Sequence, residues 1–136
     1  VLQVKHADCG QKTLLLLTLC RIAGIPCHFQ SGLITPPSGW NLHDWAEVYY
    51  EGVGWVPIDV SNGFMSLIKG TENEYFYLTG VDSYRLIVNQ DFGMPLSPAK
   101  EYPRSETVDF QRGEVEWRGG NLYFDTWSYD MEIEYL

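Results

Sequence analysis

The chain has 136 residues, 45% of them hydrophobic and 20% charged, which suits one core of ordinary size and excludes a disordered chain. Its formal net charge is -9 with the basic residues scattered singly, which argues against nucleic acid or an anionic membrane surface as a partner. The longest apolar run, Leu14 to Leu17, is far too short to cross a bilayer.

In chain order, residues 10–23 have the pattern of a helix. Leu14, Leu15, Leu16, Leu17, Leu19, Ile22 and Ala23 cover most of its circumference, which predicts burial on nearly all sides, with Leu16 and Leu19 in the core. Asp8 precedes it as an N-cap, Gly24 follows as a left-handed stop, and Pro26 prevents continuation. Cys27 to Ile34 alternates as a strand, and Thr35 to Asn41, "TPPSGWN", is turn chemistry. His43 to Tyr50 and Trp55 to Val60 read as two more strands around "EGVG". From Ser61 to about Arg104 the pattern loosens, with one short strand at Tyr84 to Val88. "VEWRGGNLYFDTW" reads as strand, Gly-Gly turn and strand, and "MEIEYL" alternates as a last strand. A helix followed by antiparallel sheet is an α+β layout.

The three cysteines, Cys9, Cys20 and Cys27, are an odd number and do not look like a disulfide framework. Their spacings of eleven and seven residues match no zinc motif, and His28 reads as a strand residue, so neither a metal nor a cofactor is called for. Cys20 and Cys27 fall among apolar residues and read as core. Cys9 is different, because it stands where the helix begins. Free N–H groups and the helix dipole there favour the thiolate, the reactive form of cysteine. The expectation is that Cys9 reacts first with an alkylating agent and keeps an appreciable rate below pH 7.

A cysteine nucleophile needs a base, and the base needs an acceptor to orient it. The candidate base is His43 and the candidate orienter is Asp59, at the end of the following strand. If residues 51–54 form a symmetric loop, His43 lies opposite Asn62, about 10 Å along the strand from Asp59. A bulge near Tyr50 to Val53 is then needed to bring the pair together. Trp40 and Trp45 are candidate walls of an acyl site, while Trp55 reads as a core aromatic.

"ADCGQKTLLLLTLCRIAGIPCHFQSG" followed by "HDWAEVYYEGVGWVPIDVS" resembles the core of the transglutaminase-like superfamily, of the bacterial type. The family pattern is a cysteine near Gly or Asp, a leucine-rich helix, "R-x-x-GIP", a strand, then "H-x-W-x-E-V" and "GW-x-P-x-D". Arg21, Gly24, Ile25, Pro26, His43, Trp45, Glu47, Val48, Gly54, Trp55, Pro57 and Asp59 fit it. The likeness is tight over residues 8–61 and weaker through "YFYLTGVDSYRLIV".

The resemblance implies a papain-like fold spanning residues 1–136 as one transglutaminase-like domain, with Cys9 as nucleophile, His43 as base and Asp59 as orienter. It implies thiol-dependent acyl transfer on a peptide or protein, a cell-wall peptide among the candidates. Peptidase or amidase hydrolysis is favoured over protein-glutamine cross-linking. A catalytically silent interaction module is a further alternative. The chain opens without Met, eight residues before Cys9, and reads as truncated at its N-terminus. The upstream oxyanion donor common in the family therefore cannot be named, and the backbone N–H of Cys9 stands as one candidate donor. Whether the protein is cytoplasmic or exported is left open.

Overall fold

Asp8 starts the helix. In the computed structural model, which describes residue 3 and residues 6–70 and 72–135, its carboxylate accepts the Gln11 amide at 2.8 Å. That satisfies one of the donors that a first helical turn leaves free. Helix α1 runs over Cys9–Ile22, one residue earlier at each end than the pattern predicts. The shift puts Cys9 in the first turn. At Gly24 the backbone turns left-handed, with φ 74°, a conformation that a residue without Cβ adopts at no steric cost. Ile25 then donates back to the Cys20 carbonyl at 2.8 Å, and Pro26 leads into the sheet.

Burial of α1 differs from the expectation. Thr13, Leu17 and Cys20 turn inward, whereas Leu19 is 56% exposed and Ile22 79%. Four consecutive leucines are spread around about 300° of the helix at 3.6 residues per turn. A helix with a sheet along one side cannot cover them all. Leu17→Ala should therefore destabilise by about 2–5 kcal/mol, while Leu19→Ala should stay within about 0.5 kcal/mol. Thermal melts of the two variants check this, and equal losses would contradict it.

Four strands form the main sheet: β1 (Cys27–Ile34), β2 (Asn41–Tyr50), β3 (Gly54–Ile58) and β4 (Arg85–Gln90), in the order β3-β2-β1-β4. Every neighbouring pair is antiparallel. Side chains alternate between the two faces. Cys27 and Phe29 of β1 stand opposite Val48 and Ala46 of β2, and with Leu17 and Cys20 they make the core between sheet and helix. The other face carries Gln30 opposite Trp45 and Gly32 opposite His43. The β1–β4 register shifts between Ser31 and Gly32. A Cβ at Gly32 would lie 1.9 Å from the Leu86 carbonyl oxygen, so only glycine allows β4 to lie this close.

Beyond β3 the chain is more ordered than its sequence suggests. Helix α2 (Val60–Lys69) lies in the stretch expected to be loose, capped by Asp59 and ended by Gly70 at φ 61°. A 3₁₀ turn follows at Phe76–Leu78. The Gly-Gly hairpin is present, but its strands β5 (Val115–Glu116) and β6 (Asn121–Leu122) are two residues each. Residues 131–135 form no strand despite their alternation, and residue 136 of that expected strand lies outside the described residues. Trp55, expected in the core, is 47% exposed. It sits on the edge strand β3, where His28 and Tyr49 meet its ring edge-on.

Candidate active site

Cys9 is the first residue of α1 and is half-buried. Its thiol donates to Asp44 Oδ2 at 3.2 Å. A Cβ at Gly10 would lie 3.0 Å from the same oxygen, so glycine leaves the Asp44 carboxylate room beside the helix start. Burial, followed by the charge of Asp44 and its hydrogen bond, pushes the thiol up from 9.0 to about 11. The Gly10 amide acts in the opposite sense and does not prevail. The depressed thiol pKa expected from the helix start is thus opposed first by burial of the thiol and then by the carboxylate facing it. Asp44 is itself raised to about 6, first by burial, with Asp109 and Asp8 adding to the rise while Cys9 and His43 oppose it. Cys20 and Cys27 are buried, and the Cys27 thiol turns to the Leu17 carbonyl at 3.6 Å.

His43 and Asp59 meet without the expected bulge. The β2–β3 ladder is regular, with Tyr50 opposite Gly54 and Ala46 opposite Ile58, so only residues 51–53 form the loop. The device is instead the end of β3. The chain leaves the sheet after Ile58, and Asp59 caps α2 from extended backbone. Its Oδ1 accepts the Ser61 and Asn62 amides at 3.0 and 2.9 Å. Its Oδ2 lies 2.7 Å from His43 Nε2.

Asp59 is fully buried. Burial raises its carboxyl, but the hydrogen bond and charge of His43, the Asn62 amide and Arg85 together bring it below the usual carboxylate range. The carboxylate is therefore ionised and accepts only, which makes Nε2 the donor. Asp44 and His43 are neighbours on a strand, so Asp44 turns toward the start of α1 and His43 turns toward Trp45 and Asp59. Cys9 and His43 share no hydrogen bond among the described residues.

Three residues that the sequence did not single out complete the surroundings. Asp44 follows His43 directly and could have been flagged by that adjacency. Gln111 donates through Nε2 to the His43 carbonyl at 2.8 Å and to Asp44 Oδ1. Arg85 Nη1 donates to Asp59 Oδ2 at 2.9 Å. No local pattern announces either of the last two. Trp45, expected as a wall of the acyl site, is 1% exposed. Its ring stacks beside His43 and its Nε1 donates to Gln30 Oε1 at 2.7 Å, so it backs the imidazole from inside. Trp40 lines a hollow of about 350 Å³ together with Leu42, Arg112, Phe124, Trp127 and Tyr129, and none of Cys9, His43 and Asp59 is among its lining residues.

No curated protein and no solved structure matches the chain. The model of the transglutaminase-like superfamily matches residues 1–60. That segment contains the start of α1, the sheet order β3-β2-β1 and the residue that caps α2, and the α+β arrangement of a helix carrying Cys9 against an antiparallel sheet agrees with such a core. Over residues 1–60 the chain is similar to the transglutaminase-like superfamily.

Proposed function

We propose that the chain carries out thiol-dependent hydrolysis of an amide or peptide bond, with Cys9 as nucleophile, His43 as general base and acid, and Asp59 as orienter. The observation that carries this reading is the fully buried Asp59 carboxylate bound to His43 Nε2 at 2.7 Å, one strand position from the residue that holds the Cys9 thiol. A carboxylate fixed on Nε2 leaves Nδ1 free to take a thiol proton.

The reaction requires the Cys9 thiol to exchange Asp44 for His43. Sulfur then attacks the carbonyl carbon, and the imidazolium gives its proton to the departing amine as the C–N bond breaks. Water, deprotonated by His43, releases the acid from the thioester. The backbone N–H of Cys9, at the start of α1, serves as one oxyanion donor in this reading. The hollow beside Trp40 is the acyl-side subsite in this reading, large enough for one side chain and walled by aromatic rings. The substrate is a peptide or protein.

Hydrolysis is favoured over cross-linking because the turn leading into β2 is open. Pro37, Ser38 and Gly39 are exposed, and cross-linking needs a thioester shielded from water while a second amine binds. The test is incubation with a glutamine-containing peptide and a labelled primary amine. Free acid or cleaved peptide, abolished by Cys9→Ala, is the expected result. Amine incorporation well above acid release assigns a transglutaminase instead, and no turnover of either kind favours the silent interaction module.

A further inference from the structure

Arg85 opens β4, outside the segment that matches the family model. Its side chain is 5% exposed and reaches the same carboxylate oxygen of Asp59 that binds His43. Taking a guanidinium out of water costs several kcal/mol unless it is fully paired, and here the pairing is thorough. Nη2 meets Asp82 Oδ2 at 3.0 Å. The guanidinium carbon lies 5.2 Å from the centre of the Trp45 ring and 5.6 Å from that of Tyr77. Asp59 has no need of Arg85 to satisfy its hydrogen bonds, since two backbone amides and the imidazole already do so. The four side chains form a row of alternating character: His43, Asp59, Arg85, Asp82.

An oxygen shared between two donors gives less of its charge to each. We propose that Arg85 is a positioning residue for the thiol chemistry: it fixes Asp59 Oδ2 against His43 Nε2 and sets how strongly that carboxylate engages the imidazole, with Asp82 as the opposing weight. Its chemical use rests on the Cys9–His43–Asp59 reading, but its geometry does not involve Cys9. The groups facing Asp59 are His43 from β2, Arg85 from β4 and the Ser61 and Asn62 amides of α2. Tyr77 from the 3₁₀ turn and Asp82 face it across Arg85.

The experiment is proton NMR of the His43 Nε2–H in the full chain, recorded in a Cys9→Ala background that removes the thiol. Arg85→Gln leaves Oδ2 to the imidazole alone, strengthens the hydrogen bond and moves the resonance downfield. Asp82→Asn leaves Arg85 more fully on Asp59, weakens the bond and moves the resonance upfield. A purely structural role for Arg85 does not produce shifts of opposite sign. Unchanged positions, or shifts in the same direction, overturn the proposal. If Arg85→Gln does not fold, Asp82→Asn decides alone, since it is isosteric at a side chain 25% exposed: an upfield shift supports the proposal and an unmoved resonance overturns it. Failure of amide hydrolysis leaves these shifts in place, and failure of the shifts leaves any Cys9-dependent turnover in place.

Discussion

Asp44→Asn should raise the alkylation rate of Cys9 at pH 7 by about tenfold or more, a gain equivalent to roughly one pKa unit. Asp44 opposes the thiolate with its charge and with the hydrogen bond that holds the thiol proton. Asparagine removes the charge and keeps the shape. Burial, the largest cause of the raised thiol, remains, so the variant does not return to the behaviour of a free cysteine.

The same substitution should stabilise the fold. The Asp44 carboxyl lies at about 6 in the folded chain against 3.8 for an unperturbed aspartate, so the folded state holds that proton more tightly. This contribution is complete below 3.8 and is lost as pH rises through 6. At pH 7 the buried charge then costs on the order of 1–3 kcal/mol, which asparagine does not incur. Iodoacetamide labelling read residue by residue, with thermal melts at pH 7 and pH 4, checks both parts. The melting gain should vanish at pH 4, and an unchanged labelling rate would sink the argument.

Asp59→Ala should be the most damaging single substitution near the site. It removes the cap of α2, the acceptor of His43 and the acceptor of a buried guanidinium together. Breaking one member of a buried ion pair costs about 3–5 kcal/mol, which for a chain of this size lowers the melting temperature by roughly 10–20 °C. The pH dependence has the opposite sign to that of Asp44. The Asp59 carboxyl is held below its usual range, so its stabilisation is present above the unfolded value of 3.8 and is lost as pH falls through the folded one. Melting curves at pH 7 and in acid should converge for wild type and variant as the acid limb is crossed. A variant that melts like wild type at pH 7 would contradict the reading of Asp59 as a hub.

The parts of this fold that were legible in the sequence are those fixed by local chemistry. Asp8, Gly24 and Pro26 punctuate α1 within a few residues of its ends, and alternation gives Cys27–Ile34 to the residue. Helix α2 was missed although Val60, Phe64, Leu67 and Ile68 recur at helical spacing and Gly70 closes it. Asp59 reads equally well as the end of a strand, and Ser61, Asn62 and Gly63 are poor helix formers. The last expected strand failed for the converse reason, since alternation in "MEIEYL" allows a strand but pairing requires a partner edge.

At the site, Cys9, His43 and Asp59 stand out as candidates from residue type, order and the family resemblance, and the structure joins His43 to Asp59 and Cys9 to Asp44. The His43–Asp59 bond is the expected one, whereas the Cys9–Asp44 and Arg85–Asp59 contacts, which cross 35 and 26 residues, carry no local signal. The thiol shift differs in direction for the same reason: a helix start is visible in sequence, whereas the burial that raises the thiol most and a carboxylate arriving from another element are not.

Gln111 gives the site an order of assembly. The β2–β3 hairpin closes over three residues, whereas the Gln111 amide finds the His43 carbonyl across a separation of 68 residues. Loop closure costs about 0.6 kcal/mol more for each doubling of length, so ordering that contact requires roughly 2–3 kcal/mol beyond what the hairpin requires. The strand bearing His43 can thus form while its rear support is still unplaced. We expect the emerging polypeptide to hold His43 in its strand well before residue 111 arrives, and to acquire a settled backbone behind the imidazole only afterwards.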